Sequence, residues 1–587
     1  MKIEKFNINI EREALRCTKS GKKVLAAYPK AFGKKEKNNF IKAESDEAVL
    51  ILKTPTSSSI ADVYNKFEEI TNVVLCELHE RGELIWATSN FDGRDLNLKI
   101  RLKIEDEFYN EMRLKNSNLS ETFEKAFEGM KKEFNQNSSV LNKVYGNLEL
   151  NLNNGFIEIS NIKTNYLAKC GITEAEIMLL VAFAFKCLDG GFSGNLKQDL
   201  IEVNKKYSLK LTSGIESAYD VLSTSRIEDE AGLNELEKIQ FARDYMDEGW
   251  NARYCLQKYE KLVSESVVII KDAISQGIDY KVLNESKSLV EFDLNGHKEF
   301  VIEGNKTDKD SYIFPIITDD KFTSKQIMDN NGLNVPQAIL LEKDMDEEDI
   351  EELASDFYDK TLVVKPRNTN YGTGITVFSK PATKEQVLNA IKYAFEFDTN
   401  VLIEEYVKGM EYRFLVINGK CLSVAHRRIA SVVGDGVSTI RQLIEAKNLE
   451  PWHFLTGTPV KMDQPVVEYL KLQGLDFDSV LEADRRVFLR TNSNCSTGGE
   501  SIDMTPMMPE KFKRIAEKAA KSFDAKICGV DIIIDDVEKD DYSIIEINDN
   551  PGYSINQWPY EGKGQKIGLS ILKLLKLTQD SKVKNKN

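Results

Sequence analysis

The chain has 587 residues, of which 79 are Lys or Arg and 94 are Asp or Glu, so its formal net charge is −15. At about 100–200 residues per domain, this length predicts three or four structural units. A hydrophobic fraction of 41% and a charged fraction of 29% are ordinary for globular proteins and exclude a wholly disordered chain. The negative charge argues against general nucleic-acid binding, which needs a basic face.

Hydropathy and cysteine usage predict a protein of the cytoplasm that is not embedded in a membrane. The longest apolar run, residues 177–185, is far shorter than the roughly 20 residues that a bilayer requires, and the N-terminus lacks the apolar core of a secretory signal. Eight cysteines occur without a Cys-x-x-Cys pair, which predicts reduced thiols. Four histidines occur without metal-ligand spacing, so we expect any metal to be held by oxygen.

The first 260 residues mix strand-like and helical patterns. Residues 48–52 and 155–160 are short β-type runs, and the spacing of apolar residues predicts a helix over 120–134. From about residue 263 the pattern predicts a strand at 266–270, a helix at 271–277 and a strand at 280–283, which together form a βαβ unit.

The C-terminal half is rich in predicted strands. A predicted helix over 325–331 ends at Gly332, and apolar runs predict strands at residues 335–341, 363–366, 401–405, 414–417, 487–490, 530–534 and 543–548. The last ten residues, 578–587, are polar, and we expect them to be frayed.

A glycine-containing loop comes after the strand that ends at Lys365. Residues 363–378 read VVKPRNTNYGTGITVF. Gly372 and Gly374 would let backbone N–H groups close on phosphate oxygens, while Lys365 reaches a phosphate as a point charge. A Gly-x-Gly pair by itself is equally compatible with a simple hairpin turn, so phosphate binding is favoured only in combination with the acidic strands of the next 180 residues.

Three oxygen donors lie on two later strands. Glu546 and Asn548 are two residues apart, so their side chains leave the same face of a strand, and Asp531 on the paired strand can join them. Such a set predicts a magnesium site completed by nucleotide oxygens. The alternative is that Asp531 and Asn548 are turn or cap residues, but an unpaired acid within an apolar strand would be costly to bury.

Together these features resemble the ATP-grasp superfamily, carboxylate–amine ligases that bind ATP between two α+β subdomains. The similarity extends to the glutathione-synthetase half of the bifunctional glutamate–cysteine ligase/glutathione synthetase family, and cyanophycin synthetase has a related module. It runs from about residue 263 to 577 and is carried by KPRNTNYGTGI at 365–375, VVGDGVSTI at 432–440 and RTNSNCSTGGESIDMT at 490–505.

The resemblance implies a role for each matching residue. Lys325, Lys365 and the glycines Gly372 and Gly374 would bind the ATP phosphates. The remaining implied contacts are Glu404 and Tyr406 at the adenine, Glu411 at the ribose, Arg427 and Arg490 as catalytic residues at the carboxylate and its acyl-phosphate, and Asp531, Glu546 and Asn548 at Mg²⁺ or Mn²⁺.

One departure from the family concerns the substrate. The family has a stretch rich in His and Met after the Asn-Pro that comes behind the metal strand, whereas this chain has NPGYSINQW at residues 550–558. The wall beside the metal site therefore differs, which favours a ligase for a different amino acid or peptide pair as the first alternative to γ-glutamylcysteine and glycine.

The N-terminal half is similar to the glutamate–cysteine ligase half of the same family. Residues 10–14, 44–55 and 157–166 carry the resemblance, and Glu11, Glu13 and Glu158 match family acids. However, Ile51 stands where the family has a glutamate, Ser160 stands where it has an arginine, and the segment between 55 and 158 is far shorter. We therefore interpret this half as a degenerate, inactive domain, with a trimmed but working site as the alternative.

The predicted architecture is an α+β multidomain chain. It consists of a glutamine-synthetase/glutamate–cysteine-ligase-like domain over 1–262, a βαβ segment over 263–320, an ATP-grasp domain over 321–577 and a disordered tail over 578–587. The predicted function is an ATP- and Mg²⁺-dependent ligase that forms ADP, phosphate and an amide from small amino-acid or peptide substrates, with no nucleic-acid or membrane partner and a homodimer as the assembly to test. A non-catalytic ATP-binding scaffold is the second alternative.

Overall fold

The structure is a computed structural model that describes most of the chain between residues 6 and 579. Within that range it leaves out residues 21, 25, 46, 87–89, 92–93, 137–147, 161, 163–171, 191, 210–214, 216, 219–249, 257, 370–372, 456–458 and 491–494. Among the described helices, none combines the length and the apolar character that a membrane span requires.

An antiparallel sheet of seven strands organises the N-terminal part, which confirms the predicted mixture of helix and sheet. Its strands are β1 (Phe6–Thr18), β2 (Ile41–Ala43), β3 (Val49–Lys53), β4 (Glu83–Trp86), β7 (Leu98–Ile104), β8 (Glu149–Asn153) and β9 (Phe156–Ser160), with β5 (Asn90–Phe91) and β6 (Arg94–Asp95) forming a separate hairpin. The order is β2-β3-β1-β7-β9-β8, and β4 pairs with the end of β1.

Five helices are described around this sheet. They are α1 (Ile60–Glu80), α2 (Asp106–Lys115), α3 (Leu119–Gln136), α4 (Glu174–Asp189) and α5 (Leu196–Tyr207). The predicted helix at 120–134 is confirmed as α3. The longest apolar run of the sequence is part of α4, which begins with a capping box formed by Thr173 and Glu176 and is buried along almost its whole length.

The predicted βαβ unit is wrong. Residues 266–270 belong to a helix, α6 (Ser264–Ser275), and the strands after it form an antiparallel three-stranded sheet of β10 (Asp279–Asn284), β11 (Leu289–Leu294) and β12 (His297–Ile302). All residues from Ser266 to Ser275 are buried. A helix that is buried on every side shows no amphipathic period, so its apolar run cannot be distinguished from a buried strand by sequence pattern.

The C-terminal part contains two further antiparallel sheets. One is formed by β13 (Ala338–Glu342), β14 (Lys360–Pro366), β15 (Thr376–Ala382) and β16 (Asn400–Glu405), in the order β13-β16-β14-β15. The other is formed by β17 (Met410–Ile417), β18 (Lys420–Arg428), β21 (Glu500–Asp503), β22 (Ile527–Ile534) and β23 (Ser543–Asn548), in the order β21-β18-β17-β22-β23. A two-stranded sheet pairs β19 (Ser431–Val433) with β20 (Arg486–Phe488).

The helices of this part complete the layers. They are α7 (Ile313–Asp319), α8 (Lys321–Asn330), α9 (Glu347–Ala354), α10 (Lys384–Ala394), α11 (Ile440–Asn448), α12 (Pro451–Leu455), α13 (Gln464–Leu472), α14 (Glu510–Ser522), α15 (Ser554–Gln557) and α16 (Ile567–Leu574). Each C-terminal sheet has its own hydrophobic core. By contrast, one core extends from the N-terminal sheet through α6 and α16 to Leu415 and Ile417 of the five-stranded sheet.

The chain end differs in part from the predicted frayed tail. Thr578 is buried, and the Gln579 side chain donates to the carbonyl of Gln276 at 3.1 Å and accepts from the Lys34 backbone N–H at 2.7 Å. These two residues are held in place by tertiary contacts, which cannot be predicted from their polar sequence. The rest of the predicted tail, 580–587, lies outside the described residues.

Candidate active site

Two of the predicted phosphate-binding lysines converge on one buried carboxylate. Lys325 lies on α8 and Lys365 at the end of β14, and their Nζ atoms are 3.2 and 2.9 Å from the carboxylate oxygens of Glu404 on β16. Glu404 is only 3% exposed. The structure therefore places Glu404 between the lysines, while its adenine contact stays a prediction.

The buried cluster carries one more positive charge than negative. Burial and the charge of Lys365 lower the pKa of Lys325 to about 8. For Glu404, burial favours the neutral acid, but Lys365 and Lys325 outweigh it and lower its pKa. Because two cations share one carboxylate away from water, the cluster is suited to bind an additional anion such as a phosphate.

Lys321 is a site residue that the sequence analysis missed. It stands at the first position of α8, and its Nζ donates to the backbone carbonyl of Thr369 in the loop after β14. The neighbouring Asp320 caps the helix and binds Arg367 of the same loop through two contacts of 2.8 and 2.5 Å. The start of α8 thus holds the start of the glycine-containing loop.

The glycines of this loop are only partly described. Gly372 lies outside the described residues. Gly374 has φ +75°, and a Cβ there would lie 2.6 Å from the Pro366 ring and 2.8 Å from the Phe397 ring. The backbone conformation and the close approach both require glycine, whereas the contact of Gly374 with phosphate stays a prediction.

The other predicted nucleotide contacts lie after β16. Tyr406 comes directly after the strand and is partly buried, and its backbone N–H donates to the carbonyl of Thr361 at 3.4 Å. Glu411 lies on β17, where its carboxylate forms an ion pair with Arg427. The adenine and ribose contacts of these residues stay predictions.

The three predicted metal ligands come together on adjacent strands. Asp531 of β22 lies directly opposite Glu546 of β23, and Gly529 lies opposite Asn548. The Asn548 amide donates to a Glu546 carboxylate oxygen at 3.2 Å. The strand register therefore agrees with the prediction that all three groups lie on one face of the sheet, whereas metal binding itself stays a prediction.

Two arginines engage Asp531, which is 1% exposed. Arg413 of β17 contacts both carboxylate oxygens, with Nη2 at 2.8 Å from Oδ2, and Nη2 of Arg427 lies 3.1 Å from Oδ2. Although burial opposes ionisation, the two guanidinium groups hold the pKa of Asp531 well below its usual value. Arg413 was missed by the sequence analysis, although Glu411 and Arg413 are the two charged residues of an otherwise apolar strand.

Gly529 makes room for this arrangement. A Cβ on Gly529 would lie 2.9 Å from Cδ and 3.2 Å from Nη1 of Arg413. Any larger residue at 529 would therefore displace the guanidinium that neutralises Asp531. The close packing links a glycine of β22 to the charge state of the proposed metal ligand two residues later.

The donor set suits a hard divalent cation, since Asp531, Glu546 and Asn548 offer only oxygen. Among the described residues, no three His, Cys, Asp or Glu side chains form a metal cluster, so the set reaches three donors only through the amide of Asn548. A carboxylate has about four acceptor positions, which leaves Asp531 able to bind a cation while Arg413 and Arg427 remain nearby.

The two predicted catalytic arginines each keep an unused donor. The Nε atoms of Arg427 and Arg490 are buried and have no hydrogen-bond partner among the described residues. Nη2 of Arg490 contacts Asp463 at 2.6 Å. Buried donors without partners are costly, so both arginines are suited to bind an anionic ligand.

The lysine cluster and the metal strands act on each other electrostatically. Burial lowers the pKa values of both Lys321 and Lys325, and the charge of Glu546 opposes the shift at each of them. The helix α8, which carries both lysines, packs against β23, which carries Glu546, so the lysine cluster and the metal strands border one site. Such a site can bind polyphosphate oxygens on one side and a cation on the other.

In the N-terminal sheet, a guanidinium lies between two of the predicted acids. Arg101 of β7 contacts Glu11 at 2.6 Å and Glu158 at 2.8 Å. The hydrogen bond from Arg101 lowers the pKa of Glu158, against a smaller effect of burial. The sheet thus brings Glu11 and Glu158 together, and Arg101, which the sequence analysis missed, forms an ion pair with each of them.

The other three positions compared with the family, Glu13, Ile51 and Ser160, also lie on strands of the N-terminal sheet. Glu13 accepts from the Asn97 backbone N–H at 3.1 Å, and Ile51 lies directly opposite Glu13 on β3. Ser160 is buried at the end of β9. An isoleucine therefore occupies the place beside Glu13, where its side chain offers no metal ligand.

Four family models match the chain. They are described as glutamate-cysteine ligase at residues 1–92, ATP-grasp-like domain at 265–313, D-ala D-ala ligase C-terminus at 327–435, and RimK-like ATP-grasp domain at 479–559. The order along the chain agrees with an N-terminal glutamate–cysteine ligase-type part followed by an ATP-grasp ligase.

Curated relatives carry the name glutathione biosynthesis bifunctional protein. The protein from Listeria welshimeri is 28% identical over 770 aligned positions, which cover 97% of this chain and 96% of the relative. The protein from Listeria monocytogenes serotype 4b is 34% identical, covering 81% of this chain and 66% of the relative. Because the first alignment spans more positions than the 587 residues of this chain, the relative contains segments that this chain lacks.

A solved structure has the same fold over almost the whole chain. The crystal structure of a bifunctional glutathione synthetase from Pasteurella multocida matches with a TM-score of 0.74 and 22% identity, and it covers 97% of both chains. The predicted fold, an α+β N-terminal domain followed by an ATP-grasp fold, is thereby confirmed.

Proposed function

Since the chain belongs to the family of the bifunctional glutathione biosynthesis proteins and is an ATP-dependent ligase, we propose that its ATP-grasp half joins γ-glutamylcysteine to glycine. The single observation that carries this proposal is the packing of α8, which carries Lys325 of the lysine cluster, against β23, which carries Glu546. It combines anion binding and oxygen ligands for a cation in one site.

The proposed reaction has two steps. A carboxylate oxygen of the substrate attacks the terminal phosphorus of ATP, which releases ADP and leaves an acyl-phosphate. The amine of the second substrate then attacks the acyl carbon and expels phosphate, and the amine loses a proton. Catalysis of this kind depends on positioning and on neutralising the charge of the transferring phosphoryl group.

Each residue of the site has a defined task in this proposal. Lys325 and Lys365 bind phosphate oxygens, and Arg427 and Arg490 use their unpartnered Nε–H groups for the carboxylate and its acyl-phosphate. Asp531, Glu546 and Asn548 would hold a divalent cation, which supplies further charge neutralisation when bound. Mg²⁺ is the proposed cation, with Mn²⁺ as the alternative.

We further propose that the N-terminal domain does not make γ-glutamylcysteine. Two substituted positions support this proposal. Ile51 offers no ligand, and Ser160 cannot bind a carboxylate bidentately as an arginine would. The alternative, a trimmed but working site, requires turnover with glutamate and cysteine.

A ligase for a different amino-acid or peptide pair is the second candidate. It is favoured by residues 550–558, which begin two positions after Asn548 and differ from the His- and Met-rich stretch of the family. A cytoplasmic location and a homodimer complete the proposal; the seven described cysteines carry thiols rather than disulfides, as in a reducing compartment.

The test is substrate-dependent ADP release by the full-length protein with ATP and Mg²⁺ across a panel of amino-acid and dipeptide pairs. We expect release with γ-glutamylcysteine plus glycine and none from the matched Glu546→Gln variant. Release with another pair alone would favour the second candidate, and wild-type turnover by Glu546→Gln would refute the assigned site. Glutamate plus cysteine should give no dipeptide by mass spectrometry.

A further inference from the structure

The segment that comes after the metal strand is held from two sides. Residues 550–558 begin two positions after Asn548. On the side of the five-stranded sheet, Asn556 donates to Ser423 at 2.9 Å, Ser501 donates to the carbonyl of Ile555 at 2.9 Å, and the Trp452 indole donates to the carbonyl of Trp558 at 2.7 Å. The other side of the segment faces α6.

Glu265 in the first turn of α6 binds the middle of this segment. Its carboxylate accepts from the Ser554 hydroxyl at 2.8 Å and from the Ser554 backbone N–H at 3.2 Å. Tyr553, which is fully buried, donates its hydroxyl to the carbonyl of Gly304 at 2.7 Å, with the carbonyl of Glu265 3.0 Å away. Four contacts thus hold two consecutive residues of the segment.

Asp272, two turns later on α6, binds the end of the segment. Its carboxylate accepts from the Gln557 amide at 3.2 Å and from the Leu569 backbone N–H at 2.8 Å. The side-chain oxygen Oε1 of Gln557 in turn accepts from the Ile567 backbone N–H at 2.7 Å. Asp272 therefore joins residue 557 to α16.

The helix α6 packs against both the N-terminal domain and the ligase part of the chain. It packs against α1 and α16, and its apolar residues share one continuous core with the N-terminal sheet. Its end is fixed by Asn38, which donates to the carbonyl of Ser275 at 2.8 Å. An ion pair between Glu77 of α1 and Lys566 closes the same interface.

We propose that Glu265 and Asp272 are positioning residues that set the substrate wall at 550–558, and that the N-terminal domain acts on the ligase through them. This proposal rests on the proposed function of the C-terminal half. A wall anchored on α6 moves with the N-terminal core, and Asn548 is only two residues from its start. The lysine cluster lies on other elements, α8, β14 and β16, and does not depend on this anchor.

The expected signature is a change in the Michaelis constant of the non-nucleotide substrates and not in that of ATP. Glu265→Ala removes a charged acceptor that binds Ser554 twice, so we expect about a tenfold rise in KM for the peptide or amine substrate. KM for ATP should stay within about twofold. Glu265→Gln keeps one acceptor oxygen for Ser554 and should recover most of the loss.

One further variant controls for general damage, and another tests a second contact of the segment. Glu260→Gln changes an exposed glutamate that lies shortly before α6 and should behave as wild type. Tyr553→Phe removes only the hydroxyl and keeps the ring in the core, so it should raise KM for the same substrates without lowering the melting temperature as much as a cavity would. Equal rises in the two Michaelis constants, or no rise in either, would overturn the proposal.

A readout that needs no turnover separates this proposal from the function on which it rests. Amide hydrogen exchange at residues 554–558 should be faster in Glu265→Ala than in Glu260→Gln, because the Ser554 amide loses its acceptor. If the wild type turns over no substrate pair but this local exchange difference is found, the proposed function fails and the anchor stands. Unchanged exchange would refute the anchor even in an active enzyme.

Discussion

Replacing Asp531 by Asn should destabilise the fold as well as abolish activity. Asp531 is buried and is the shared partner of Arg413 and Arg427. At 2.8 Å from Arg413 Nη2, the attraction at an effective dielectric constant of about 20 is about 6 kcal/mol. Asparagine keeps one acceptor oxygen, so the expected loss is lower, and removing one partner of a buried pair costs about 3–5 kcal/mol in general.

The charge left behind cannot be relieved by pH. An arginine does not give up its proton in the accessible range, so the free energy of unfolding of Asp531→Asn should stay about 3 kcal/mol below the wild type at both pH 7 and pH 9. Glu546→Gln is the matched comparison. Its carboxylate has no arginine partner among the described ion pairs, so we expect lost activity with a stability change below about 1 kcal/mol.

The assay is urea unfolding followed by circular dichroism, together with ADP release, for both variants and for Asp535→Asn. Asp535 lies one residue beyond β22, and its ion pair with Lys408 is exposed, so its loss should be nearly neutral. Equal stability of Asp531→Asn and wild type would refute the reasoning that Asp531 neutralises buried arginines. Wild-type turnover in Glu546→Gln would refute the metal assignment.

Three further outcomes are expected. Glu404→Gln should destabilise the protein most below pH 8. The pKa of Lys325 is lowered to about 8 in the wild type and should fall further without the Glu404 carboxylate. The difference in the free energy of unfolding between wild type and Glu404→Gln should therefore shrink by about 1 kcal/mol as the pH rises through 8, which urea unfolding at pH 7 and pH 9.5 would measure. Binding of a non-hydrolysable ATP analogue should weaken by up to about tenfold between pH 8 and pH 9 as Lys325 loses its proton, and calorimetry should find this dependence absent in Lys325→Arg. Glu11→Ala should leave ADP release from γ-glutamylcysteine and glycine within twofold of wild type, and a larger loss would show that the N-terminal acids take part in the reaction.

The fold class and most residues of the candidate site could be predicted from the amino-acid sequence. The orientation of side chains on a strand can be predicted from sequence, because two residues that are two positions apart have their side chains on the same face of the strand. Glu546 and Asn548 were predicted in this way, and their pairing opposite Asp531 agrees with the strand register. Family motifs identified Lys325 and Lys365, which pair with the buried Glu404, and also Arg427, which contacts the buried Asp531, and Arg490, which pairs with Asp463.

Which charges neutralise one another depends on tertiary packing. Arg413, Lys321 and Arg101 are far in sequence from the groups that they contact, and a local pattern carries no information on contacts between distant strands and loops. The same limit explains the error at α6, whose burial on every side erases the helical period that sequence analysis reads. The N-terminal domain and the ligase share one hydrophobic core, and this too depends on tertiary packing. An apolar sequence predicts that a residue is buried but not which residues it packs against.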